Sequence, residues 1–196
     1  MKNVLPNLRS SRLLLREAIA TDREALCRLP LDPEAMRMFG VDLDAPTPRT
    51  DEGVDKAFGD LKQTPHLWVI DAGKGYIGHI RLHSLHSIDR RAALAIWIED
   101  PEAQGKGLGT EAIALVLQHA FGTLGLHRVG IRVLAINLRA IRAYQACGFV
   151  LEGRERDTAR LGGIWHDDLI LGCLESEYAA SKAARGVARA ELSEGR

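Results

Sequence analysis

The chain has 196 residues, with 26 lysines and arginines against 26 aspartates and glutamates. That balance leaves no overall field for a polyelectrolyte or an anionic membrane, so nucleic-acid binding is disfavoured. Apolar content of 46% and charged content of 27% are ordinary for a globular protein, and the length suits a single domain.

Arg12-Leu13-Leu14-Leu15-Arg16 reads as a first strand, and Thr21-Asp22-Arg23-Glu24 after it has the form of a capping box. The helix it opens carries Ala25, Leu26 and Leu29 and stops at Pro30. Asp32-Pro33 restarts a helix, with Met36 and Phe39 at helical spacing and Gly40 as its end. After a loop over residues 41 to 50, Val54, Phe58 and Leu61 mark a third helix. Its acids Asp51, Glu52, Asp55 and Asp60 face either solvent or a cationic substrate.

His66 to Ile70, Tyr76 to Leu82 and Ala92 to Ile98 read as three strands joined by a turn at Asp71 to Lys74 and a loop over 84 to 91, an antiparallel meander. A long, broadly apolar helix follows residue 107, then a strand from Arg128 to Leu134 with Val129, Ile131 and Val133 on one face. Asn137 opens another helix that Gly148 closes, and Phe149 to Arg156 with Ile164 to Leu171 form a last hairpin. The expected domain is residues 1–177, with 178–196 an Ala-, Arg- and Glu-rich tail, frayed or disordered. Cys27, Cys147 and Cys173 are odd in number and widely spaced, which fits reduced thiols and neither a disulfide framework nor a zinc site. The amino-terminal residues lack a long apolar stretch, so a soluble cytoplasmic protein is expected.

Gln104-Gly105-Lys106-Gly107-Leu108-Gly109-Thr110 lies between a strand and a helix, where the first helical amides have no partner and the helix dipole is positive. Glycines at 105, 107 and 109 let a ligand approach those amides, so the stretch reads as a cradle for phosphate or pyrophosphate, with Lys106 adding charge. A Walker loop fails because Lys106 lies between glycines, and the dinucleotide fingerprint fails because the glycines alternate. Gln104, Gly107 and Gly109 instead fill the pattern Gln/Arg-any-any-Gly-any-Gly/Ala. It resembles motif A of the GCN5-related N-acetyltransferases, whose loop holds the pyrophosphate of acetyl-CoA. Asn137 to Phe149, with Tyr144 and Gly148-Phe149, resembles motif B of the same family. The flanking segments are similar to the branch of ribosomal-protein N-terminal and spermidine acetyltransferases.

The resemblance implies an α+β fold, a mixed and mostly antiparallel sheet flanked by helices, with two central strands splayed around acetyl-CoA. Pantetheine is expected to pair with backbone at Trp97, Ile98 and Glu99, and the pyrophosphate to sit on residues 104 to 109 with Thr110 adding a hydroxyl. Asn137 is expected either to hold the pantetheine arm or to cap its helix. Tyr144 carries over as the acid that protonates the leaving thiolate, or is a core aromatic in register with Leu138 and Ile141.

The usual mid-strand glutamate base is replaced by Ala93. Glu99 is the nearest carboxylate and the candidate base, with His79 and His83 on or beyond the neighbouring strand. Ala140 stands where ribosomal-protein acetyltransferases carry Ser. The implied activity is acetyl transfer to a primary amine by direct attack, without a metal because the thioester is already activated. The acceptor is either a small polycationic amine, such as a polyamine or aminoglycoside, or a protein N-terminus. A non-catalytic acyl-CoA-binding module is the alternative, and a homodimer is possible for this class.

Overall fold

The alternation of β3 (Leu67–Asp71) sets the plan of the molecule, because all of Leu67, Trp68, Val69 and Ile70 are buried. A strand buried on both faces needs cover on both. Leu67 and Val69 pack with Ala25 and Leu26 of α1 (Ala20–Arg28) and Val54 and Leu61 of α3 (Asp51–Gln63). Trp68 and Ile70 join the larger core on the other face, under α4 (Leu108–Gly122). This computed structural model describes residues 5–43 and 47–180.

The remaining elements are β1 (Leu8–Arg9), β2 (Leu14–Arg16), α2 (Pro33–Arg37), β4 (Tyr76–His86), β5 (Arg91–Ile98), β6 (Arg128–Leu134), α5 (Leu138–Ala146), β7 (Val150–Leu161) and β8 (Ile164–Leu174). Among the described residues the strands form one sheet in the order β1-β2-β3-β4-β5-β6-β8-β7. Every neighbouring pair is antiparallel except β5–β6, which is parallel and therefore needs the crossover that α4 supplies. The expected mixed, mostly antiparallel sheet flanked by helices is what the chain forms.

Three local expectations change. α1 starts at Ala20, and its first turn is closed by Asp22, which accepts from the Ile19 amide (2.8 Å), rather than by Thr21 and Glu24. Asp22 is fixed there by Arg16, whose guanidinium donates to both carboxylate oxygens (2.8 and 2.9 Å) and also to Asp71. β4 runs on to His86, through residues expected in a loop, because His86 still pairs with Arg91. A 3-10 turn at Pro101–Ala103, capped by Asp100, separates β5 from the glycine stretch. Tyr178 at the start of the expected tail sets its ring 5.2 Å from that of Phe121, and the tail from 181 to 196 lies outside the described residues. No helix among the described residues is long and apolar enough to cross a membrane.

Candidate functional site: a cleft between splayed strands

β5 and β6 pair only at Arg91↔Arg128, Ala92↔Val129 and Ala93↔Gly130. Beyond Ala93 they diverge, and a cleft of about 910 Å³ opens between Ile96, Trp97 and Ile98 on one side and Arg132, Val133 and Leu134 on the other. The cleft runs from the glycine stretch, past α5, to the turn after α2 and to Thr158, Ala159 and Arg160 on β7.

The cradle is built as its residues require. Gly105 and Gly107 have φ of +72° and +76°, the left-handed region that suits glycine, and Gly107 caps α4. The amide of Glu111 is the first to bond back, to the Gly107 carbonyl (3.1 Å), so those of Leu108, Gly109 and Thr110 have no partner within the helix. A Cβ at Gly105 would meet nothing within 4 Å, so that side of the loop is open. Gln104, Gly105, Gly107, Leu108, Gly109 and Thr110 all line the cleft. This fits a pyrophosphate. Lys106 lies outside the lining, and its carbonyl accepts from Arg12 (3.1 Å).

Two side chains brace the cradle. Gln104 turns its side chain inward, donating to the Ile98 carbonyl (3.0 Å) and accepting from Arg139 (2.8 Å), so it braces β5 against α5. Arg12, far away in sequence, pairs with Glu111 through Nε (2.7 Å) and holds the loop from outside.

The strand's phase also decides which backbone groups face the opening. The Glu99 amide donates to the Ile77 carbonyl (2.9 Å), and alternate residues of an antiparallel ladder face the same way. Trp97 and Glu99 therefore turn their backbone groups to β4, while Ile96 and Ile98 present theirs to the cleft. Of the three residues expected to pair with pantetheine, Ile98 turns its backbone to the cleft, as Ile96 does, while Trp97 and Glu99 do not.

Tyr144 lines the cleft, and only 6% of it is exposed. Its ring packs 5.9 Å from that of Phe149. Burial pushes its hydroxyl up to about 12, so it keeps its proton at neutral pH. Asn137 accepts from the Ala140 amide through Oδ1 (3.1 Å), making the helix cap, and it lines the cleft as well. The cap leaves its NH₂ group unused.

Glu99 is not a free carboxylate facing the cleft, as a base was expected to be. It is 4% exposed, does not line the cleft, and its two oxygens accept from Arg49 and from the Tyr76 hydroxyl. The Tyr76 hydroxyl has one hydrogen, which goes to Glu99, so the contact of its oxygen with His79 Nδ1 (3.1 Å) requires Nδ1 to carry a proton. His79 is held neutral, its pKa lowered to about 4 by burial and by Arg81 and Arg49. His83 is lowered by the same kind of desolvation and lies opposite Ala93.

Sequence reasoning missed the far wall. The Phe39 ring lies 4.9 Å from that of Trp97, tilted by 46°, and the Arg49 guanidinium lies 5.9 Å over the same indole. Gly40 approaches Ala159 of β7, with an added Cβ 4.0 Å from that of Ala159, so the turn after α2 meets the last hairpin. Phe39 is legible in the sequence only as a helix position and Arg49 only as part of a loop, and nothing in either spacing points to Trp97.

Comparison with known proteins agrees with this geometry. The acetyltransferase (GNAT) domain family matches residues 12–150. A spermidine N(1)-acetyltransferase of Vibrio cholerae is 36% identical over 110 residues, covering 56% of this chain and 63% of that protein, so the chain spans under two thirds of that relative's length. A Bacillus subtilis protein, YdaF, whose name assigns it provisionally to ribosomal N-acetylation, is 33% identical over 125 residues, 62% of this chain and 68% of its own. The crystal structure of a spermidine N-acetyltransferase from Vibrio cholerae, in complex with CoA and spermine, superposes with a TM-score of 0.72 at 25% identity over 87% of this chain and 99% of that one. A family match over most of the chain, on a sheet splayed beside a glycine-built helix end, shows that the chain belongs to the GNAT acetyltransferase family.

Proposed function

We propose that this chain is an acetyl-CoA-dependent N-acetyltransferase that acts on a primary amine by direct attack. One observation carries the reading: the β5–β6 pairing ends after three positions, and the cleft it opens joins the free amides of α4 to the protonated Tyr144. The amides of residues 108 to 110 would hold the pyrophosphate, and the backbone of Ile96 and Ile98 would pair with the pantetheine arm as a strand does. Bound acetyl-CoA supplies an activated thioester. The neutral amine adds to its carbonyl carbon and the C–S bond breaks. Tyr144 gives its proton to the departing thiolate, and the proton lost by the amine nitrogen returns through water to the phenolate. With Glu99 paired to Arg49, proton removal from the incoming ammonium falls to solvent.

Thiol release from acetyl-CoA over a panel of amines tests the reading. Release that depends on both acetyl-CoA and an amine supports it. CoA binding without release on any amine would instead identify an acyl-CoA-binding module.

A further inference from the structure

On the reading that this cleft transfers acetyl groups, we propose that its acceptor is a peptide amino terminus followed by an acidic side chain, recognised by Arg160, and not a polycation. A site for a polyamine needs carboxylates free to meet distant ammonium groups. The one carboxylate in the cleft lining and the buried one behind it are already committed. Glu99 is paired with Arg49, and Asp168, the acid in the cleft lining, with Arg132 at 2.5 Å. Asp42 lies 3.5 Å from Arg37 and accepts from the Gly162 amide. Asp100 caps the turn after β5. The acids of α3 lie outside the lining, and Asp55 among them pairs with Arg23 (2.7 Å).

Aromatic faces could hold an ammonium instead. Here the Trp97 face already carries the Arg49 guanidinium and the Phe39 ring.

The cationic side is in excess. Of the four arginines in the lining, Arg132 is matched by Asp168 and by Glu155 (3.0 Å), which leaves Arg139, Arg142 and Arg160 without an ion pair among the described residues. Arg139 and Arg142 are on α5, and Arg139 bonds Gln104 beside the cradle, where phosphates would take up their charge. Arg160 is on the opposite wall, on β7, beside the place where the turn after α2 meets the hairpin. Its Nε makes a long bond to the Gly163 carbonyl (3.4 Å), and it meets no carboxylate among the described residues. The guanidinium rests 6.0 Å from the ring centre of Trp165. Ile164 and Trp165, 66% and 57% exposed, continue this surface beyond the cleft mouth. A free amino acid would not reach them, whereas a peptide leaving the cleft would lie across them.

The test measures kcat/KM for thiol release at low salt. The acceptors are two peptides that differ only in Glu or Lys at the second residue, together with spermidine. The acidic peptide should lead the basic one by about five-fold, the size of one exposed ion pair, and added salt should shrink the ratio. Arg160→Gln should abolish the preference and Arg160→Glu should reverse it, with CoA affinity by titration unchanged. A wild-type preference for spermidine or the Lys peptide, or a ratio indifferent to Arg160→Glu, would overturn the proposal. If no acceptor releases thiol, the transfer reading fails separately, and the same peptides titrated into CoA-loaded protein still decide the charge preference.

Discussion

At one end of the cleft, the groups proposed to meet a ligand are main-chain amides of residues 108 to 110, consecutive in sequence and held by glycines with positive φ. At the other end they are the side chains of Phe39, Trp97, Arg132 and Arg160, from four separate segments. The first end is local: a strand, a turn and a helix start suffice to make it. The second exists only after α2, β5, β6 and β7 have been brought together, and a buried Arg49–Glu99 pair stands behind it. A backbone-built site accepts the same ligand in many proteins. A side-chain-built site can change its substrate one residue at a time.

The largest effect expected on this contrast is at Tyr144, between the two ends. Tyr144→Phe keeps the ring against Phe149 and deletes the proton donor, so kcat should fall by roughly 10²–10⁴-fold. Melting temperature and CoA affinity should hardly change. Near-normal turnover would make Tyr144 a core aromatic.

Next in size is Glu99→Gln. It leaves the Arg49 guanidinium, whose side chain is 9% exposed, without its counter-charge, which should cost about 3–5 kcal/mol of stability. Chemical denaturation measures this. The pH profile of kcat/KM should keep its shape in the variant, since Glu99 does not take the proton. A profile that loses a limb would restore Glu99 as the base.

At the cradle, Gly109→Val is the sharper probe, because Gly109 sits in ordinary helical backbone whereas Gly107 would be strained by any side chain. A Cβ at Gly109 would make an ordinary contact, 3.6 Å from Ile98, and the added methyls would crowd the amides. CoA affinity should weaken by roughly ten-fold or more, the loss of one charge-assisted hydrogen bond. Equal affinity in a folded variant would put the phosphates elsewhere.

The last effect is in stability against pH. His79 has a folded pKa near 4, below the ordinary value near 6.5, so the unfolded chain binds its proton first. Its contribution is therefore intact above about 6.5 and is lost as pH falls towards 4, up to about 3 kcal/mol. His79→Gln should flatten that stretch of the stability curve, and an unchanged curve would remove His79 from the account.

The same contrast explains what could be read in advance. The meander, the buried crossover helix, the cradle and Tyr144 all follow from spacing within a dozen residues, or from a family pattern of that length. The far wall has no such spacing, because Arg49 finds Glu99, and Phe39 finds Trp97, only through the tertiary fold. Glu99 looked like a base because it was the nearest carboxylate in sequence, and its partner 50 residues earlier was invisible there. The pairing phase of β5 was equally hidden, since it is set by which amide reaches Ile77, and that choice moved the cleft-facing backbone from Trp97 and Glu99 to Ile96.

The seam between β5 and β6 has a consequence for how the protein would respond to occupancy. Three paired positions hold strands β1 to β5 against β6, β8 and β7, so the sheet is two ribbons stitched at one end. A ligand pairing with Ile96 and Ile98 would add rungs to that stitch, and its binding energy would become cohesion between the ribbons. By linkage, a hundred-fold excess over its dissociation constant adds about 2.7 kcal/mol to unfolding. Amide exchange should then slow not only at the cleft but in β2 and β3, which do not line it. Loaded and empty protein would differ as a closed zip differs from an open one.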